Sequence, residues 1–333
     1  MSEDAYVEAG VSQRDADSAV EALVRSLKLI ETGKPSRVVP LPGHYASVLR
    51  VEGNLGIAIG TDGVGTKMVV AERLGRFETI GIDCVAMNVN DLICVGAEPI
   101  AMVDFILCKR ADPDVCGQIG VGLRRGAELA GIEIPGGEIG QVGEVVNGWD
   151  LGGTAIGIVD VEEIIDGGRI EPGDALLGLP SSGLHSNGYT LARKALGEHD
   201  LDDDRLGRPL GELLLEPTEV YVRAVLDLLG SRADVRGLAH ITGDGLNNLL
   251  RLAAPVGYEI DDPLPVPPIF GLIAELGEVS DDEMYEVFNM GCGFVCVVAE
   301  RDADDALEAL RGHYADAKPI GRVTERTGTV QRA

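Results

Sequence analysis

Gly60–Lys67 reads GTDGVGTK and follows an apolar run. A phosphate-binding P-loop has lysine directly after its second glycine, then Ser or Thr. Here Thr66 precedes Lys67, and Asp62 sits where a bare backbone cradle disfavours an acid. The residues fit different chemistry: Asp62 bridging a metal, Gly63 and Gly65 admitting phosphates to the backbone, and Lys67 supplying positive charge. The plainer alternative is a Gly-rich strand-to-helix turn capped by Asp62.

Gly81–Pro99, GIDCVAMNVNDLICVGAEP, is too apolar for a surface helix, yet it carries Asp83, Asn88, Asn90 and Asp91. A buried carboxylate without partners is strongly unfavourable, so these acids imply a metal, a hydrogen-bond cluster or a cavity. Asp83 also fits a structural acid near the helix start; Asp91, deep in the helix, reads as a ligand. Glu138 follows two glycines in PGGEIGQVGE. Asp62, Asp91 and Glu138 together would form a hard, oxygen-rich site suited to Mg²⁺ carrying ATP phosphates. In Ser181–Leu196, SSGLHSNGYTLARKAL, Asn187 and Gly188 open a helix whose free N–H groups suit an anion. His185 beside them could move a proton near neutral pH; the ordinary alternative is a surface histidine.

The pattern places these residues on alternating strands and helices. Apolar runs flank Gly53-Asn54 as in a hairpin, helices are expected over Thr66–Leu74, Thr79–Val95 and Asp112–Ala130, and strands over Ile100–Leu107 and Leu151–Val159. Gly-Gly and Pro-Gly turns in VEEIIDGGRIEPGD mark a boundary, giving domains 1–168 and 169–333. Further strands are expected at Ala175–Leu179, Leu238–Ile241, Gly293–Val298 and Lys318–Val323. Helices are expected at Asn187–Leu196, Pro217–Leu229, Gly245–Ala253, Pro268–Leu276 and Asp302–Leu310. This mixture argues for an α+β fold in two domains.

Hydrophobic residues form 45% of the chain and aromatics only 4%, so the core must be aliphatic. No run reaches the roughly 18 apolar residues of a membrane span, and the acidic opening is unlike a signal peptide. A soluble, cytoplasmic protein is expected. The cysteines lack CxxC spacing and read as free thiols, Cys292 included as a core residue. Fifty-five acids face 28 bases, for a formal charge of −27. That field repels nucleic acid and anionic membranes. With few lysines, it also suggests function in concentrated salt and a halophilic archaeal source; an ordinary acidic protein is the alternative.

GTDGVGTK, GIDCVAMNVNDLICVGAEP, SSGLHSNGYTLARK, AHITGDG and EMYEVFNMGCGF occur in the order seen in the AIR synthetase family, which the chain resembles from Tyr6 to Arg326. GTDGVGTK alone is shared loosely with FGAM synthetase, selenophosphate synthetase, thiamine-monophosphate kinase and a hydrogenase maturation factor; HSNGYTLARK with EMYEVFNMG is more specific. The resemblance implies a PurM-like homodimer whose N-terminal domains pair strands in an interface barrel. It implies ATP-dependent closure of formylglycinamidine ribonucleotide to an imidazole through a phosphorylated formyl oxygen. Asp62, Asp91 and Glu138 would then hold Mg²⁺ and ATP, with Gly63, Gly65 and Thr66 at the phosphates and Lys67 neutralising phosphoryl charge. His185 and Asn187 would face the substrate, Gly43, His44 and Tyr45 would belong to a lid, and Asn289 and Gly291 would shape the cleft. The chain departs from the family where Ile139, Gly140, Gln141 and Val142 follow Glu138, and where Asp244 interrupts a glycine triplet. Competing expectations are a sister phosphotransferase and a non-catalytic nucleotide-binding subunit.

Overall fold

The structure is a computed structural model that describes residues 13–197 and 199–332, so the Tyr6–Val11 motif lies outside the described residues. The first half builds helix α1 (Gln13–Leu27), strands β1 (Val38–Val39), β2 (Ser47–Glu52) and β3 (Leu55–Gly63), and helices α2 (Lys67–Leu74) and α3 (Glu78–Ile93). Strand β4 (Glu98–Cys108), helix α4 (Pro113–Ala130), and strands β5 (Glu133–Gln141) and β6 (Trp149–Asp160) complete it. The hairpin β2–β3 turns at Gly53-Asn54, where Gly53 takes φ +55°, a left-handed conformation that suits glycine. The sheet order is β1-β2-β3-β6-β4-β5, antiparallel except for β4–β5, which α4 connects. Asp112 caps α4, its carboxylate accepting from the N–H groups of Asp114 and Val115 at 2.9 and 3.3 Å.

Across this sheet the pleat sorts residues into rows. Asp62, Gly153, Asp104 and Gly137 stand opposite one another on four adjacent strands; Gly63, Gly152, Phe105 and Glu138 form the next row. Neighbouring rows face opposite sides. A Cβ on Gly153 would meet Asn88 and Cys84 of α3, so the Asp62 row faces α3 and the Glu138 row faces away. Strand β4 shifts register against β6 between Pro99 and Ala101 and against β5 between Ala101 and Val103, which sets the phase of Asp104.

Helix α3 is buried almost throughout, as its apolar composition demands. It packs against α4 at two glycines: a Cβ on Gly81 would strike the backbone of residues 119–123, and one on Gly122 would strike the Glu78 carbonyl.

The second half contributes β7 (Ala175–Pro180), α5 (Tyr189–Leu196), α6 (Leu210–Leu214), α7 (Val222–Leu229), β8 (Val235–His240) and a 3₁₀ turn over Gly245–Arg251. After these come β9 (Gly257–Ile260), α8 (Pro268–Gly277), α9 (Asp281–Val287), β10 (Cys292–Val298), α10 (Ala303–Arg311), β11 (Lys318–Thr324) and β12 (Val330–Arg332). Its sheet runs β12-β9-β11-β7-β10-β8. The mixed two-sheet architecture is the one expected from sequence. Two helices are not. The helix expected from Pro217 starts only at Val222, because the N–H groups of Thr218 and Tyr221 are taken by the side chains of Asp83 and Asn90 at 2.7 and 3.0 Å. The helix expected over Gly245–Ala253 is a 3₁₀ turn ending at Arg251.

Candidate active site

Asp62 on β3 lies within the field of Asp91 on α3, whose partner His240 comes from the second half. Asn88 grips the Asp62 backbone from both sides, its Oδ1 accepting from Asp62 N–H at 3.0 Å and its Nδ2 donating to Asp62 O at 3.1 Å. Burial, and then the Asp91 charge, push the Asp62 carboxyl up to about 6, against the Gly63 N–H and the Arg251 charge. Asp91 lies 2.9 Å from Nδ1 of the fully buried His240. The Asn90 amide donates to Glu219 O at 2.8 Å and sits 3.4 Å from His240 Nε2. An amide donor on Nε2 leaves the imidazole proton on Nδ1, so His240 donates to Asp91 and fixes its orientation.

Lys67 lies apart from this pair, and the structure does not bring its ammonium to the carboxylates. Its side chain is fully buried, with Nζ 2.9 and 2.8 Å from the two Asp83 oxygens, 3.1 Å from His185 O and 2.6 Å from Glu216 O. An ammonium has three donors, and all are engaged on partners inside the protein. Burial pushes the lysine down and the Asp83 carboxyl up, each opposed by its partner's charge. Asp83 also accepts from Thr218 N–H and Oγ1, both at 2.7 Å, so it is the structural acid of the two alternatives. A charge this far from solvent demands such pairing, and Lys67 ties α2 to two segments of the second half.

Glu138 does not join the two aspartates either. It is exposed on β5, in the row that faces away from Asp62 and Asp91. Among the described residues no three His, Cys, Asp or Glu side chains are grouped to hold a metal. Alternation with period two puts Asp104 on the α3-facing side instead, with its carboxylate over Gly137 and its pKa raised by burial.

His185 takes φ +63° and is buried, which pushes its imidazole well below the usual range and keeps it neutral. Its Nε2 accepts from Ser182 N–H at 3.3 Å, so the ring proton sits on Nδ1, which has no partner. Asn187 turns its Oδ1 toward Gly243, and its Nδ2 is likewise buried without a partner. Gly65 (φ +67°) and Thr66 are exposed in the turn after β3, and Thr66 Oγ1 lies 3.2 Å from Thr190 Oγ1 of α5. Gly43 takes φ +75° in an exposed turn. After it, His44 packs edge-on to Tyr45 with ring centroids 5.5 Å apart. Burial pushes His44 down to about 4, with Asp166 and Asp91 pulling the other way and Arg251 adding to the depression. Asn289 holds the loop before His185, accepting from Ser181 Oγ at 2.8 Å and donating to Gly183 O at 2.8 Å. A Cβ on Gly291 would strike the Pro265 carbonyl.

Reading by sequence missed the supporting roles of Asn88 and His240, and missed Asp104 and Arg251 altogether. A charge in the middle of the apolar strand IAMVDFILC signals Asp104. A histidine within AHITGDG signals His240. Arg251 carries no local signal.

The two-sheet fold, with paired carboxylates where its halves meet, defines a class. Residues 43–159 match the family described as AIR synthase related protein, N-terminal domain, and residues 171–332 match its C-terminal counterpart. Solved structures show the same fold. Thiamine monophosphate kinase from Aquifex aeolicus superposes with TM-score 0.64 at 15% identity, covering 96% of this chain and 98% of that one. Hydrogenase maturation protein HypE in complex with ATP gives 0.62 at 22%, covering 89% and 87%. Sequence relatives are nearer. The phosphoribosylformylglycinamidine cyclo-ligase of Thermococcus gammatolerans is 49% identical, covering 97% of this chain and 96% of its own. That of Methanothermobacter thermautotrophicus is 46% identical, covering 98% and 96%. The chain belongs to the phosphoribosylformylglycinamidine cyclo-ligase family. No helix among the described residues is long and apolar enough to cross a membrane.

Proposed function

We propose that the chain converts formylglycinamidine ribonucleotide to aminoimidazole ribonucleotide, with ATP cleaved to ADP and phosphate. The observation that carries this reading is 49% identity with a cyclo-ligase over nearly the whole chain, together with an Asp62–Asp91 pair held by Asn88 and His240. An amide carbonyl is a poor electrophile. In the first step its formyl oxygen takes the γ-phosphoryl group of ATP. The amidine nitrogen then attacks that carbon and loses a proton, the carbon–oxygen bond breaks, and the oxygen leaves with inorganic phosphate. Holding both groups in one conformer removes much of the entropic barrier.

Asp62 and Asp91 suit Mg²⁺: they are hard oxygen donors, and burial together with the nearby Asp91 charge, which raise the Asp62 pKa, make an environment that a divalent cation relieves. Mg²⁺ is commonly held by one or two carboxylates with the remaining positions left to water and phosphate, so two carboxylates suffice. Bound there, the ion would neutralise phosphate charge. Asn88 and His240 keep both carboxylates in place, while Gly65 and Thr66 offer backbone N–H groups to the triphosphate and Gly63, whose N–H is taken by Asp62, lets the phosphates approach the backbone. The unpartnered Nδ1–H of His185 and amide of Asn187 supply donors toward the substrate. For His185 to shuttle a proton through Nε2, its contact with Ser182 must break.

A division into domains after Gly168 is supported by the gap between β6 and β7. The uncovered face of the first sheet presents Leu55, Val103, Phe105 and Ile158, from 38% to 50% exposed, which supports a homodimer built on that face. Glu138 lies on it. Cytoplasmic residence and adaptation to concentrated salt complete the reading.

The test is turnover in high salt with Mg²⁺ and ATP, with and without formylglycinamidine ribonucleotide. ADP and aminoimidazole appearing one to one is expected, with Asp91→Asn losing Mg²⁺-dependent turnover. ATP binding without substrate-dependent turnover overturns the reading.

A further inference from the structure

With Lys67 engaged inside the protein, the carboxylate pair needs another cation to meet a triphosphate. Arg251 ends the 3₁₀ turn Gly245–Arg251 and is exposed. Among the described residues it makes no hydrogen bond or ion pair. Several arginines elsewhere are committed: Arg169, Arg236 and Arg301 converge on Asp234, and Arg332 bridges Asp281 and Asp282.

What holds Arg251 is an aromatic face. Its guanidinium carbon lies 4.9 Å from the centroid of the Tyr45 ring. The Tyr45 hydroxyl in turn donates to the Asn248 carbonyl at 2.9 Å, within the same 3₁₀ turn. Asn248 Oδ1 accepts from Thr242 N–H at 2.6 Å, fixing the turn two residues beyond His240, the partner of Asp91. One short segment, 240–251, thus carries both the group that orients Asp91 and a guanidinium stacked on the 43–46 loop. Its charge acts on both Asp62 and His44, and the Asp91 charge acts on the same two groups. A guanidinium stacked on a ring keeps its planar fork of donors free, and that fork matches two phosphate oxygens.

We propose that Arg251 contacts the transferring phosphoryl group. The inference rests on the cyclo-ligase reading and names a catalytic residue within it. Developing phosphoryl charge is stabilised there by a donor preset in position.

The experiment compares Arg251→Met and Arg251→Lys with the wild type in two assays. In turnover, Arg251→Met is expected to lose about 100- to 1,000-fold in kcat, with Arg251→Lys between it and the wild type. In calorimetric titration at matched Mg²⁺, the wild type is expected to bind a non-hydrolysable ATP analogue more tightly than ADP. Arg251→Met should lose that preference while retaining ADP affinity and melting temperature. Wild-type kcat in Arg251→Met overturns the inference and leaves the cyclo-ligase reading intact. If the wild type fails to cyclise the substrate, that reading falls, and the titration alone decides on Arg251. A preference for ATP that survives in Arg251→Met, or that the wild type lacks, overturns it.

Discussion

Lys67→Met separates a structural lysine from a phosphate-binding one. The substitution keeps the aliphatic stem and removes the ammonium, which leaves Asp83 buried and leaves the carbonyls of His185 and Glu216 without their donor. Removing one partner of a buried pair costs about 3–5 kcal/mol. Asp83 keeps its two bonds from Thr218, which holds the figure within that range. For 333 residues the unfolding entropy is roughly 0.7 kcal/mol/K. The melting temperature is therefore expected to fall by about 4–7 °C. Lys67→Met/Asp83→Leu removes both charges and should recover part of the loss, since a buried pair replaced by apolar groups is often near neutral. Thermal melts supply the stabilities, and calorimetric titration with ATP well below the melting point supplies affinity. The expected result is a lowered melt with ATP affinity little changed. An unchanged melt with ATP binding abolished would refute the assignment of Lys67 as an internal strut.

His44 gives a pH dependence. Its folded pKa of about 4 lies below the ordinary 6.5, so the unfolded chain binds the extra proton first and stability falls as pH drops from about 6.5 to 4. The full effect is about 3 kcal/mol, and urea unfolding of His44→Phe should show a shallower loss over that window. Gly122→Ala should cost about 1–3 kcal/mol or more, because its methyl meets the Glu78 backbone. Gly120→Ala, whose methyl meets nothing within 4 Å on the same helix, should instead stabilise by about 0.4–1 kcal/mol in the same denaturant assay. Finally, melts in dilute buffer and in multimolar KCl should differ strongly, since a Debye length of about 3 Å at 1 M screens a formal charge of −27. Equal melts would refute salt adaptation.

The elements of this fold were legible wherever period and punctuation agreed. The Gly53-Asn54 hairpin, the capped helix after Asp112 and the apolar helix carrying Asp91 all follow from local chemistry. Helix lengths failed where tertiary partners intervened, as at Thr218 and Tyr221, whose N–H groups bond side chains more than a hundred residues away. The site divides in the same way. Asp62 and Asp91 stand out because an acid in an apolar run is locally anomalous. The destination of Lys67 was hidden: a lysine in a glycine-rich loop reads alike whether it meets phosphate or a buried aspartate. Which face Glu138 takes was hidden because composition does not reveal which side of a pleat a residue takes. Arg251 was invisible because the Tyr45 ring that anchors it lies some two hundred residues earlier in the chain.

The phase of β4 has a consequence for how this sequence can drift. Asp104 and Phe105 are neighbours in the chain but face opposite sides, with the register irregularity between Pro99 and Val103 deciding which side each takes. Deleting or inserting one residue past that point would exchange them. A phenyl ring would enter the neighbourhood of Asp62, and a carboxylate would enter the apolar patch around Val103. No single replacement repairs both faces. Lineages carrying this sheet can lengthen or shorten turns such as 199–208, yet in Val103–Cys108 they are free to change letters and not their number.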